Sequence, residues 1–83
     1  MGKNRHRVLS KRSKMSPSEV ISFMERHRLD NNALADAIGV TNSAVVHWRN
    51  GIRKVPEVEV RVMRLFDANP DFIEFFKTLG GAR

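Results

Sequence analysis

Between Thr41 and Lys54 the chain carries Asn42, Ser43, His47, Arg49, Asn50, Arg53 and Lys54 and not one acid. Amides, a hydroxyl, an imidazole and cations together suit recognition of an anionic surface rich in hydrogen-bonding groups. A helix over residues 42–50 would sort them. Val45 and Trp48 turn inward with Ala44 beside them, and the opposite ridge carries Asn42, Ser43, Val46, His47 and Asn50. No catalytic motif stands beside them. There is no phosphate-binding glycine loop, no nucleophile motif and no cysteine, and the acids fall mostly on helix starts and solvent faces. Neither an enzyme nor a cofactor is expected. His6, His27 and His47 share no metal-ligand spacing, so no metal site is expected either.

The elements that hold this ridge can be read from start and stop signals. Ser16-Pro17-Ser18-Glu19 combines a capping box with proline at the first helical position, which opens a helix over residues 17–27. Val20, Ile21, Met24 and His27 or Arg28 follow helical spacing along it, with Phe23 widening the stripe. Asp30 caps a short second helix that buries Leu34, Ala35 and Ile38 and stops at Gly39. Thr41 caps the third, which ends at Asn50-Gly51 because glycine accepts a left-handed backbone without a Cβ clash. Pro56 opens a fourth helix, whose expected core face is Val58, Val62, Leu65 and Phe66 with Met63 alongside. Asn69-Pro70-Asp71 opens a fifth that runs to about Leu79, before Gly80-Gly81. Strand-like alternation and internal repeats are absent from the sequence. The expected fold is all-α: a compact five-helix domain over residues 15–83, preceded by a disordered basic arm over residues 1–14.

Charge divides along the same boundary. Lys3, Arg5, Arg7, Lys11, Arg12 and Lys14 stand in the first fourteen residues with no acid, whereas residues 15–83 hold nine basic and nine acidic side chains. The net charge of +6 thus belongs to the arm, and the domain is formally neutral. Such an arm either binds nucleic acid by releasing counterions or serves as a solvated leader. No apolar run reaches the roughly 18 residues of a membrane span, and only Val8 and Leu9 follow the basic start where a signal peptide needs an apolar stretch. A cytoplasmic protein is expected, associated with the nucleoid through DNA.

The segment Asp30–Gly51 sets several packing demands at once. Ala35 falls where two helices approach closely, Gly39 lies at a tight turn, and Leu34, Ile38, Val40, Val45 and Trp48 wedge the two helices at a fixed angle. An ordinary helical hairpin meets some of these demands without needing a polar outer ridge. Here the chain resembles the phage lambda-repressor/Cro-like (Xre-type) helix-turn-helix regulators. Leu29-Asp30-Asn31, Leu34-Ala35, Ile38-Gly39-Val40, Asn42-Ser43, Val45, Trp48 and Asn50-Gly51 carry the resemblance. It extends more loosely over residues 16–79. In that family the third helix enters the major groove of double-stranded DNA, N-terminus first. The resemblance thus implies that Asn42, Ser43 and His47 read base edges, while Val46 packs on a thymine methyl group. It also assigns phosphate contacts to Asn31, Thr41, Arg49, Asn50, Arg53 and Lys54. Asn31 departs from the family, which often has a longer glutamine there. Plain alternatives stand beside these roles: Thr41 as a cap only, Ser43 as a helix-start residue, His47 as a solvated side chain and Arg49 as an internal ion pair.

In the fifth helix Phe72, Phe75, Phe76 and Leu79 recur at i, i+3, i+4 and i+7, with Ile73 adding to the stripe. It either closes the core or forms a homodimer interface. A dimer would place two reading helices about 34 Å apart on a near-palindromic operator, as expected of a repressor. Two other readings compete with a regulator of transcription. One is an antitoxin-type module that binds a toxin through the fifth helix and regulates its own operon. The other is nonspecific nucleic-acid binding through the arm.

Overall fold

The computed structural model describes residues 14–80, and these form five helices and no strand. They are α1 (Pro17–Arg26), α2 (Asn31–Ile38), α3 (Asn42–Asn50), α4 (Glu57–Ala68) and α5 (Asp71–Gly80). The arm residues Lys3, Arg5, Arg7, Lys11 and Arg12 lie outside the described residues, as do residues 81–83.

Local signals account for the helix boundaries. Ser16 closes the capping box: its hydroxyl accepts from Glu19 N at 3.2 Å, and its own N–H donates to Glu19 Oε1 at 2.8 Å. Asp30 accepts from Ala33 N at 2.8 Å, and Thr41 Oγ1 accepts from Ala44 N at 3.1 Å. Pro56 occupies the cap position of α4 and makes no side-chain cap, so Glu57 and Glu59 stand against the positive helix end. Gly39 and Gly51 end α2 and α3 with φ of +91° and +77°. The first helix closes differently. Arg28 takes φ +56° while Leu29 N bonds Met24 O at 2.8 Å. A left-handed residue with a Cβ costs about 1–2 kcal/mol. Glycine there loses more freedom on folding, so Arg28→Gly is expected to stabilise the fold by a net of about 0.5–1 kcal/mol. A urea melt reads this directly, and an unchanged or lower midpoint refutes it.

Val20, Phe23, Leu34, Val45, Val60, Met63 and Phe66 form a fully buried centre to which four of the five helices contribute. Met15, Ala37 and Val55 join the core without having been expected in it. The fourth helix is turned from its expected orientation. Val58 is 67% exposed and Leu65 38%, whereas Val60, Met63 and Phe66 are buried and Val62 is half-buried. Valines at 58, 60 and 62 offer two overlapping stripes, and the inner one continues to Asp67, seven residues after Val60. That carboxylate accepts from His27 Nε2 at 2.7 Å and from Arg26 Nη2 at 2.9 and 3.1 Å, tying α4 to the end of α1.

The fifth helix also divides its apolar residues differently. Ile73 is buried in the core of its own chain, and Phe76 is half-buried with its ring 5.1 Å from that of Phe66. Ile73 is thus taken up by its own core, and Phe76 is partly so. Phe72, Phe75 and Leu79 remain exposed, at 39%, 56% and 63%. Ile73 and Phe76 thus take part in core closure, while Phe72, Phe75 and Leu79 are left on the surface.

Partial burial alone would raise the Asp67 carboxyl, but the His27 and Arg26 hydrogen bonds and charges more than offset it and hold the group below its usual range. A carboxylate depressed in the folded state stabilises fully above its unfolded pKa, about 3.9, and loses that contribution as pH falls through the lower folded value. Asp67→Asn is expected to cost about 0.5–1.5 kcal/mol at neutral pH. Melting curves of the two proteins should converge on acidification below about pH 4; a constant gap would show that ionisation of Asp67 contributes nothing.

Candidate nucleic-acid interface

The helix pair α2–α3 turns on Gly39, whose N–H donates to Ala35 O at 2.8 Å, while Val40 N donates to the same carbonyl at 3.0 Å. Ala35 is buried at this approach, and Leu34, Val45 and Trp48 lie beneath it in the core. Packing thus fixes which side of α3 faces out. Asn42, Ser43, Arg49 and Asn50 are exposed, and Val46 and His47 are half-buried at the side of the ridge. From residue 37 to residue 56 there is no acid, so this stretch contributes only the positive charge of Arg49, Arg53 and Lys54.

Side-chain bonds from the start of α2 reach both ends of α3. Asn42 Nδ2 donates to Asn32 Oδ1 at 2.6 Å, and Arg49 Nη1 donates to Asn31 Oδ1 at 2.9 Å. The first bond uses one of two Asn42 amide hydrogens. Its Oδ1 and second N–H are left as the acceptor–donor pair that matches the N6 and N7 edge of adenine. Asn31 is half-buried and engaged by Arg49, which points to an orienting role as well as the expected phosphate contact. Arg49 is thereby held by an amide, and no acid pairs with it among the described residues.

Thr41 does cap α3, but a hydroxyl that accepts from Ala44 N keeps its hydrogen available for a phosphate oxygen. With the cap assigned to Thr41, Ser43 is not needed at the helix start. At the other end His47 O accepts from Ile52 N at 3.0 Å and Arg53 N at 3.3 Å. The loop after α3 is therefore laced to its last turn, which places Arg53 and Lys54 on exposed backbone of defined course.

Asn32 and Ile52 belong to this surface without having been singled out from sequence. Asn32 had a signal, since adjacent amides one helical position apart at the start of α2 must face different neighbours. Ile52, 69% exposed beside two cations, had none. Among the described residues no group of His, Asp and Glu could hold a metal ion, and no helix is long and apolar enough to cross a membrane. The chain matches no known protein family, no curated protein and no solved structure.

Proposed function

We propose that this chain is a sequence-specific double-stranded DNA-binding regulator of transcription, acting as a dimeric repressor that reads DNA through α3. One observation carries the reading. A helix whose inner residues are wholly buried presents an acid-free ridge of amides, a hydroxyl and an imidazole, with an adenine-matching pair left open on Asn42. The family resemblance of residues 16–79 supports the same reading, with Asn42, Ser43, Val46 and His47 on base edges. Thr41, Arg49, Asn50, Arg53 and Lys54 then position the helix on the phosphates. Bound in this way, the protein would repress by occupying a promoter.

Selection of bound duplexes from a random library tests this. A preferred half-site, repeated about one helical turn away, is the expected result. His47→Ala should relax preference at one base position, whereas Arg53→Ala should weaken binding to all sequences and lower the salt slope by about 1. Failure to enrich any sequence sinks the proposal.

The exposed Phe72, Phe75 and Leu79 support a second copy, which a near-palindromic operator would engage. Sedimentation at micromolar concentration should find a dimer that Phe75→Asp dissociates; a strict monomer with and without DNA rejects it. The same three residues favour one further reading, an antitoxin-type module that holds a toxin. A stable heterocomplex on co-purification, lost in Phe75→Asp, would favour that partner over a second copy.

A further inference from the structure

The end of α3 borders a cleft of about 570 Å³ whose walls come from separate parts of the chain. That volume is ordinary for a small-molecule site, which takes about 300–1,000 Å³. Met15 and Pro17 line it from the start of α1, Trp48 from α3 and Val55 from the loop before α4. These walls are apolar, and Met15, Trp48 and Val55 are buried residues of the core. One polar atom in them is unsatisfied. Trp48 is 2% exposed, and its buried indole N–H has no acceptor among the described residues. Buried donors of this kind normally have a partner.

Charge lines the same cleft. Lys14, Arg53 and Lys54 are exposed there and form no ion pair among the described residues. Glu19 and Glu57 also line it, and both are engaged by their own helices. Glu19 accepts from Ser16 N at 2.8 Å in the capping box, and Glu57 pairs with Arg61 at 3.4 Å. Three cations to two acids leave one net positive charge, which suits a monoanion better than a dianion. We infer that this cleft binds a small organic monocarboxylate with an apolar body. The body lies against Met15, Trp48 and Val55, the carboxylate meets the cations in charge-assisted hydrogen bonds, and the Trp48 N–H gains the acceptor it lacks. A backbone phosphate of DNA has no apolar body to fill such walls. Resting on the function proposed above, the bound carboxylate competes with DNA for Arg53 and Lys54, so the ligand is an effector that releases the operator.

Phenylacetate and octanoate, one flat and one linear, serve as probes. Each is titrated into the full chain at constant ionic strength and followed by calorimetry and proton–nitrogen NMR. At least one should bind saturably, moving the Trp48 indole resonance and the backbone amides of Lys14, Arg53 and Lys54 along a single binding curve. The corresponding neutral amide and inorganic phosphate should each bind about tenfold more weakly or worse, since one lacks the charge and the other the apolar body. Lys14→Gln, its fold verified by circular dichroism, should weaken the carboxylate about two- to fivefold and leave the amide unchanged. The inference is overturned if neither carboxylate binds below about 10 mM, or if the neutral amide binds as tightly. It is also overturned if the indole resonance stays still, or if Lys14→Gln weakens acid and amide alike. Release of DNA is read separately. A saturating probe should lower affinity for the selected duplex about fivefold or more, and unchanged affinity removes the effector role. If the selection enriches no sequence, the proposed function falls by itself, and the titrations without DNA still judge the cleft.

Discussion

Phe66→Ala is expected to cost about 3–5 kcal/mol, the loss typical of deleting a large buried aromatic side chain. Phe66 is completely buried, stacked 6.5 Å from Phe23 of α1 and 5.1 Å from Phe76 of α5. A cavity there detaches three helices at once, because small aromatic clusters have few neighbours able to close the gap. At about 0.05–0.15 kcal/mol per residue, a domain of this size has only some 3–10 kcal/mol in total. The variant should therefore populate its unfolded state at ambient temperature, seen as lost helical ellipticity and a broadened urea transition. Phe75→Ala is the control, since its ring is 56% exposed and its loss should barely move the monomer's midpoint. Comparable losses for the two would mean that α5 is seated differently on the core.

The second large effect concerns recognition. If Asn42 reads adenine through two bonds, Asn42→Ala should cost about 1–3 kcal/mol of discrimination at one base position, or roughly 5- to 150-fold. Asn32→Ala should lose part of that selectivity although Asn32 reads no base itself, because it frees the amide that Asn42 now holds at 2.6 Å. The double variant should be no worse than Asn42→Ala alone, as expected for two residues acting through one contact. Binding to duplexes varied singly at the adenine position measures all three. Fully additive losses would separate the two amides, and unchanged selectivity in Asn42→Ala would remove it from the reading set. Stability should hardly change, since both side chains are exposed.

The parts of the fold written in local chemistry were legible beforehand. Caps at Ser16, Asp30 and Thr41, and turns at Gly39 and Gly51, depend on residues only a few positions away, so helix order and boundaries follow from spacing. What escaped depends on distant partners. The alternating valines of α4 permit two rotations, and only the meeting of Asp67 with His27 and Arg26, some forty residues back, marks the inner one. Ile73 and Phe76 joined an exposed stripe on paper because periodicity gives the apolar side of a helix without saying how deeply it sinks. The outer ridge of α3 was legible for the same reason as the caps, its spacing being set within one helix. The Asn32–Asn42 bond was not, because a hydrogen bond between two helices has no period.

Trp48 gives the chain an unplanned optical property. It is the only tryptophan, and there is no tyrosine. It lies 2% exposed on the inner side of α3, and its indole N–H has no acceptor among the described residues. Tryptophan emission therefore reports the seating of one helix, without a label. An indole buried this deeply should emit at short wavelength when α3 is docked and shift to the red when it lifts. A titration with DNA that left this colour unchanged would mean that the helix meets its target as a rigid body.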